Sequence, residues 1–188
     1  MNGAKHSFIF LKLYLIILQK LILMALNQSL LQELEQESLN TRKMLQRVPE
    51  EYFGWKPHEK SNTLGRLASH VAELTHWLSR ALNDDEYDLA DANFKPANAA
   101  TSSELMQIFE DKLAKAKEDL QKASDDVFMQ KWRLLRGEHV LFEMPKIAVI
   151  RSMTLNHIIH HRAQLSVYLR LLNIPVPGMY GPTADEPI

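Results

Sequence analysis

The sequence predicts an all-α domain with the architecture of a four-helix bundle. Apolar residues recur at intervals of three and four in four separate segments, which is the spacing of a helix with one buried face. The chain of 188 residues contains only six glycines and no glycine-rich phosphate-binding pattern, which argues against a nucleotide-binding α/β fold. Its length is that of one domain with a substantial core.

The composition restricts the function. The formal net charge of −1 is spread over interspersed acidic and basic residues, so the sequence gives no basis for nucleic-acid binding. The chain has no cysteine, which excludes disulfides, thiolate metal ligands and a cysteine nucleophile. Any metal would therefore bind to nitrogen and oxygen atoms.

Residues 1–23 form an apolar N-terminal extension that differs from the rest of the chain. Lys12, Gln19 and Lys20 interrupt its apolar run, so it is marginal for the roughly 20 apolar residues of a membrane-spanning helix. We favour Met24 as the genuine start, with residues 1–23 read from an over-extended frame. A membrane anchor and an ordinary extra helix remain as alternatives. We expect residues 24–188 to form a single cytoplasmic helical domain.

Two helices are predicted in the first half of this domain. The first covers about residues 26–47, and Pro49 ends it. The second covers about residues 63–83, and the threonine at its start can cap it. His70 lies on the edge of the apolar face of the second helix, whereas His76 faces the opposite side.

Two further helices are predicted over about residues 102–123 and 145–173. A capping box opens the third helix. Pro145 suits the first turn of the fourth helix, and Asn173 suits its C-terminal cap. A polar loop precedes the third helix. A less regular segment follows it, in which Gly137 marks a turn or a short hairpin.

The fourth helix carries three of the eight histidines, at His157, His160 and His161. At about 100° per residue, His157 and His161 point into the apolar arc, while His160 points away from it by roughly a third of a turn. Two imidazoles one turn apart and aimed into a core are either buried polar groups with partners or the start of a metal site.

His70, His157 and His161 together would offer three nitrogen ligands to one divalent cation inside the bundle. Three protein ligands with an open position are typical of a catalytic metal site. The alternative is three buried neutral histidines bonded to one another or to water. We favour the metal, because three imidazoles near one point leave several buried polar atoms to satisfy. Nitrogen ligands accept zinc, nickel or iron, so the sequence does not distinguish among these metals.

The sequence also resembles the DinB superfamily of damage-inducible-like proteins from Met24 to the C terminus. Three stretches carry the resemblance, and they are Thr63–Glu73, Asn156–Gln164 and Pro175–Glu186. The resemblance implies a four-helix bundle of the DinB type that is often a homodimer. It also implies a divalent metal on one histidine of the second helix and two of the fourth, at positions that match His70, His157 and His161. Ala163 departs from the motif, which commonly carries glycine there.

The resemblance further implies a class of activity. Characterised relatives include thiol transferases and isomerases that use low-molecular-weight thiols. Because this chain has no cysteine, the sulfur would arrive with a cosubstrate. Hydrolysis by an activated water is the other enzymatic possibility. A metal-stabilised helical module that binds a partner without turnover is the non-enzymatic alternative.

Several neighbours of the predicted ligands remain without an assigned catalytic role. We favour Glu73 as a solvated helix glutamate, with an acceptor behind His70 or a base as the alternatives. Gln164 is placed to hydrogen-bond a ligand imidazole or the substrate, and we expect Arg162 to form a salt bridge. We place Leu155 and Ile159 opposite the core arc and expect a neighbouring element or a second subunit to cover them.

Overall fold

The computed structural model describes residues 25–91 and 95–187 and consists mainly of helices. The expectations for residues 1–23 lie outside this part of the chain. The α-helices of the described ranges are Leu26–Leu45 (α1), Leu64–Glu73 (α2), His76–Asn83 (α3), Ser102–Lys122 (α4), Lys146–Val149 (α5) and Asn156–Leu171 (α6). None of the helices in these ranges is long and apolar enough to cross a membrane.

Four helical arms enclose one core. They are α1, α2 with α3, α4, and α5 with α6. Helix α4 packs against the first three helices, and α6 packs against α1 and α2. Each arm contributes buried apolar side chains, such as Leu34, Leu67, Phe109 and Leu165. Burial of one such side chain contributes about 1.5–3 kcal/mol. This packing brings α2 and α6 side by side, and these are the two helices that carry the candidate ligands.

The predicted caps are confirmed. Thr63 and Thr101 each accept a hydrogen bond from a backbone N–H in the first turn of α2 and α4, respectively. Asn173 ends the last helix with a φ of 57°, in the left-handed region. The Ile174 N–H then donates to the Leu169 carbonyl at 2.9 Å, which is the bond that defines a Schellman motif.

The prediction of an all-α domain is wrong in one respect, because a three-stranded sheet accompanies the helices. Its strands are Glu86–Asp88 (β1), Lys131–Arg136 (β2) and His139–Pro145 (β3). Strand β2 lies in the middle and pairs parallel with β1 and antiparallel with β3. Gly137 has a φ of 59° and lies in the turn between β2 and β3, so the short hairpin predicted there is confirmed.

The sheet packs against α3 through Trp77 and Arg80 and does not replace a helix of the bundle. In β2, Trp132 and Leu134 are buried between exposed neighbours, which is the alternation of a strand with one covered face. The rings of Trp132 and Trp77 meet edge to face, with centroids 6.5 Å apart. Strand β1 buries only Tyr87 and is three residues long, so its sequence is too short to show a period of two.

The second predicted helix is broken between Glu73 and His76. Helix α2 ends at Glu73, and the chain turns through two residues before α3 begins. The His76 Nδ1–H donates to the Glu73 carbonyl at 2.8 Å, so a side chain satisfies a carbonyl at the end of α2. His76 is therefore engaged in the helix break and stays outside the histidine cluster, as predicted.

The last predicted helix contains a π-helical segment, Ile150–Leu155, between α5 and α6. Leu155 is 1% exposed, so the prediction that it faces away from the core is wrong. It lies three residues before buried Ile158 and therefore shares its side of the helix. Leu155 is covered within the chain, whereas Ile159 remains 36% exposed.

Candidate metal centre

Three histidine side chains converge between α2 and α6. His70 comes from α2, and His157 and His161 come from successive turns of α6. One ring nitrogen from each lies within 4.8 Å of the other two. The His157 Nε2 is 2.8 Å from the His161 Nε2 and 3.5 Å from the His70 Nε2. The structure thus brings together all three histidines that the sequence singles out.

The cluster lies at the margin of the core. The sequence analysis had instead predicted that His157 and His161 point into the core. All three rings are partly exposed, and the His70 side chain retains 23% of its exposure. Burial lowers the pKa of His157 to about 4, and the neighbouring charges of His161 and His70 add to this effect. Burial also lowers the pKa of His161. Neutral imidazoles are the form that binds metals, so these two rings are ready to act as ligands near pH 7.

The outer ring nitrogens fix which atom of each imidazole carries hydrogen. The His70 Nδ1 is 3.3 Å from a Glu73 carboxylate oxygen, and the His161 Nδ1 is 2.7 Å from the Gln164 amide oxygen. Carboxylate and amide oxygens accept hydrogen bonds, so each Nδ1 is the donor. His157 is hydrogen-bonded to the Met153 backbone. The bare Nε2 atoms of His70 and His161 therefore point toward a common centre.

This arrangement fits a divalent cation. The Nε2 atoms of His157 and His161 are 2.8 Å apart, close enough for both to bind one cation. Ligating histidines usually donate their other N–H to a carboxylate or carbonyl, as these do. The donor set is three neutral nitrogens, which suits zinc, nickel or iron better than calcium or magnesium.

Glu73 is not the solvated glutamate that we favoured from the sequence. It is 4% exposed. Burial alone would raise its pKa, but hydrogen bonds from His70 and from the Ala97 N–H, together with the charge of Arg66, lower the pKa instead. The carboxylate is thus ionised and accepts a hydrogen bond from the His70 Nδ1–H, on the side of the ring that faces away from the cluster. Its burial was missed because Ala97, which covers it, lies in a loop 24 positions along the chain, although the alternative of an acceptor behind His70 is what the structure shows.

Gln164 connects His161 to the exposed histidine of α6. Its amide oxygen accepts from the His161 Nδ1–H, and its amide N–H donates to the His160 Nε2 at 3.0 Å. The expected hydrogen bond between Gln164 and a histidine of the cluster is therefore present. His160 lies outside the cluster, as its helical phase predicts.

Arg162 fixes α6 against α1. It is 2% exposed, and its guanidinium donates to Glu37 Oε2 at 2.6 Å, to the Thr41 hydroxyl at 3.0 Å and to the Tyr180 hydroxyl at 2.5 Å. The predicted salt bridge is confirmed. Its complete burial was missed, although Arg162 lies three residues before the core residue Leu165. This ion pair sets the rotation of α6 that turns the two histidines toward α2.

Comparison with known proteins assigns the chain to a family. Residues 23–187 match the sequence model of the DinB family. The chain belongs to the DinB family. Its fold resembles that of a DinB-like protein from Bacillus cereus, with a TM-score of 0.62 and 24% identity over 80% of this chain and 95% of the other. A DinB-like protein from Bacillus subtilis gives a TM-score of 0.65 and 14% identity over 80% and 97%. No curated protein matches this DinB chain.

Proposed function

We propose that this DinB-family protein binds one divalent cation through His70, His157 and His161 and uses it in a reaction on a small molecule. The observation that supports this is the convergence of three ring nitrogens whose partner nitrogens are already hydrogen-bonded.

The reaction we propose is transfer of a low-molecular-weight thiol, or hydrolysis of a small substrate. A bound cation would supply Lewis acidity, which favours the ionised form of a thiol or water nucleophile. Three neutral imidazoles would leave its positive charge undiminished. The chain has no cysteine, so a thiol nucleophile would enter as a cosubstrate.

In the proposed role, the substrate approaches the cluster along the surface shared by α2 and α6, where the three histidines are partly exposed. Arg66 lies one turn before His70, and Gln164 lies one turn after His161. Further along, the Tyr168 hydroxyl donates to the Asn62 carbonyl at 3.3 Å, where the two helices remain close. In the proposed role, the partly exposed Arg66 and Gln164 orient polar groups of the substrate.

Partial exposure of the histidines favours an enzyme over a metal-stabilised binding module. A structural site is closed around its metal, whereas a catalytic site keeps one position open. Here each ring of the cluster remains in contact with solvent. The module without turnover is the alternative that the experiment below separates.

The test is metal analysis followed by an activity screen. Protein loaded separately with zinc, nickel and iron(II) should retain about one metal per chain. His70→Ala should retain much less while still folding. Loaded wild type should then catalyse thiol transfer or hydrolysis, and the metal-free protein should not. Stoichiometric metal without either activity would leave the binding module as the function. No retained metal would refute the proposal.

We also propose that the chain forms a homodimer through the outer face of α6. Ile159, Ala163, Val167 and Leu171 are exposed and spaced four residues apart, so they form one apolar stripe. Rows at this spacing pack into the grooves of a second helix. Ile159 lies about 160° around the helix from both His157 and His161, so this end of the stripe faces away from the proposed metal centre.

A further inference from the structure

The loop formed by residues 95–100 lies along α2 and is held there by three polar contacts. The Ala97 N–H donates to Glu73 Oε2 at 2.7 Å, and Arg66 donates to the Ala97 carbonyl at 3.1 Å. The Ala99 N–H donates to the Ser69 hydroxyl at 2.9 Å. Both backbone polar groups of Ala97 are therefore satisfied by side chains of one helix.

The same face of α2 carries His70. Arg66, Ser69, His70 and Glu73 fall within an arc of about 100° around the helix axis, so they share one side of the helix. Glu73 is the residue in contact with both the loop and the cluster. Its Oε1 accepts from the His70 Nδ1–H, and its Oε2 accepts from the loop. The Arg66 guanidinium lies 3.6 Å from the Glu73 Oε1 and also donates to the Ala97 carbonyl, so it is a second connection between Glu73 and the loop.

The chemistry of a ligating histidine makes these contacts depend on one another. A cation on Nε2 withdraws electron density from the ring, which makes the Nδ1–H a stronger donor to Glu73. A carboxylate held firmly by His70 also presents its second oxygen to Ala97 in a fixed position. Conversely, a docked loop holds the carboxylate where it keeps the His70 ring in the ligating tautomer.

We propose that Glu73 is a positioning residue that couples metal binding at His70 to docking of the 95–100 loop. The inference rests on the proposed metal centre and adds a regulatory element to it. Because coupling between two sites is reciprocal, metal binding should stabilise the docked loop, and a docked loop should raise the affinity for metal. Loss of the Glu73 carboxylate should remove this link and lower the affinity for metal. The loop contacts Glu73 and Arg66, which lie about one turn on either side of His70 in α2.

The experiment uses zinc as the probe and amide hydrogen exchange as the readout. In wild type, saturating zinc should slow exchange of the Ala97 and Ala99 amides, since local opening of the loop becomes rarer. In Glu73→Gln, zinc affinity measured against a competing chelator should fall about 10–100-fold. Saturating zinc should then no longer protect Ala97 in this variant.

Ser69→Ala is the matched control, because it removes the contact to Ala99 on the same helix face and leaves Glu73 in place. It should loosen the Ala99 end of the loop while the Ala97 contact to Glu73 stays in place, so zinc affinity should fall much less than in Glu73→Gln. Urea unfolding of each zinc-free variant shows whether it folds. The wild-type exchange experiment needs no variant and keeps the inference falsifiable if Glu73→Gln does not fold.

The outcomes separate the two proposals. If wild type binds none of zinc, nickel and iron(II), the metal centre itself is wrong and the coupling falls with it. If wild type binds zinc but the loop exchanges equally fast with and without it, the coupling is refuted and the metal centre stands. Unchanged zinc affinity in a folded Glu73→Gln protein would also overturn the coupling.

Discussion

Replacement of Arg162 by methionine should destabilise the metal-free protein by about 3–5 kcal/mol, the cost of breaking a buried ion pair by removing one partner. The reason is that Glu37, which is 8% exposed, loses the guanidinium 2.6 Å away. With a typical urea slope of about 2 kcal/mol per molar, the unfolding midpoint should fall by about 1.5–2.5 M. Urea titration monitored by tryptophan fluorescence or circular dichroism measures the shift.

Two further variants test the reasoning. Arg80→Met breaks an exposed pair with Asp84 and should change the free energy of unfolding by no more than about 1 kcal/mol. Arg162→Met combined with Glu37→Leu removes both charges and should recover much of the stability. A loss below about 1 kcal/mol in the single variant would refute the assignment, as would a double variant no more stable than the single one.

Three further outcomes are expected. His157→Ala and His161→Ala should lose the metal, whereas His160→Ala should retain it; metal analysis that finds His160 essential would show the helical phase to be wrong. Metal-free protein should lose stability as pH falls from about 6.5 to 4, because the unfolded chain protonates His157 before the folded chain does. Urea titrations should show a weaker pH dependence in His157→Gln, and an unchanged one would contradict the assignment. Val167→Glu should shift a dimer toward monomer in light scattering, while Leu39→Glu, at an exposed site on α1, should not.

The sequence contains enough local information to place the three histidines. Their helical phase depends only on spacing within a helix, so His157 and His161 are paired and His160 is set apart without any tertiary knowledge. The apolar edge of α2 selects His70 over His76 in the same way. The caps at Thr63, Thr101 and Asn173 are local for the same reason.

The features that the sequence analysis missed depend on contacts between distant segments. Glu73 looks like a surface glutamate until the loop at Ala97 covers it, and the two residues are 24 positions apart. Strand β1 exists because it pairs with β2, and only Tyr87 marks it in the sequence. Arg162 is a charged residue on a buried face, a placement that becomes favourable only when Glu37 of another helix meets it.

The π-helical segment sets how far α6 is rotated about its own axis relative to α5. A wide turn of this kind accommodates one more residue than a regular α-helical turn. Each residue of a regular helix accounts for about 100° of rotation. Deleting Ser152 from within Ile150–Leu155 and closing the turn to α-helical geometry would therefore rotate everything beyond it by about 100° relative to α5. His157 and His161 would turn away from His70 together. The position of His157 and His161 relative to His70 thus depends on the length of a segment that contains none of the three histidines.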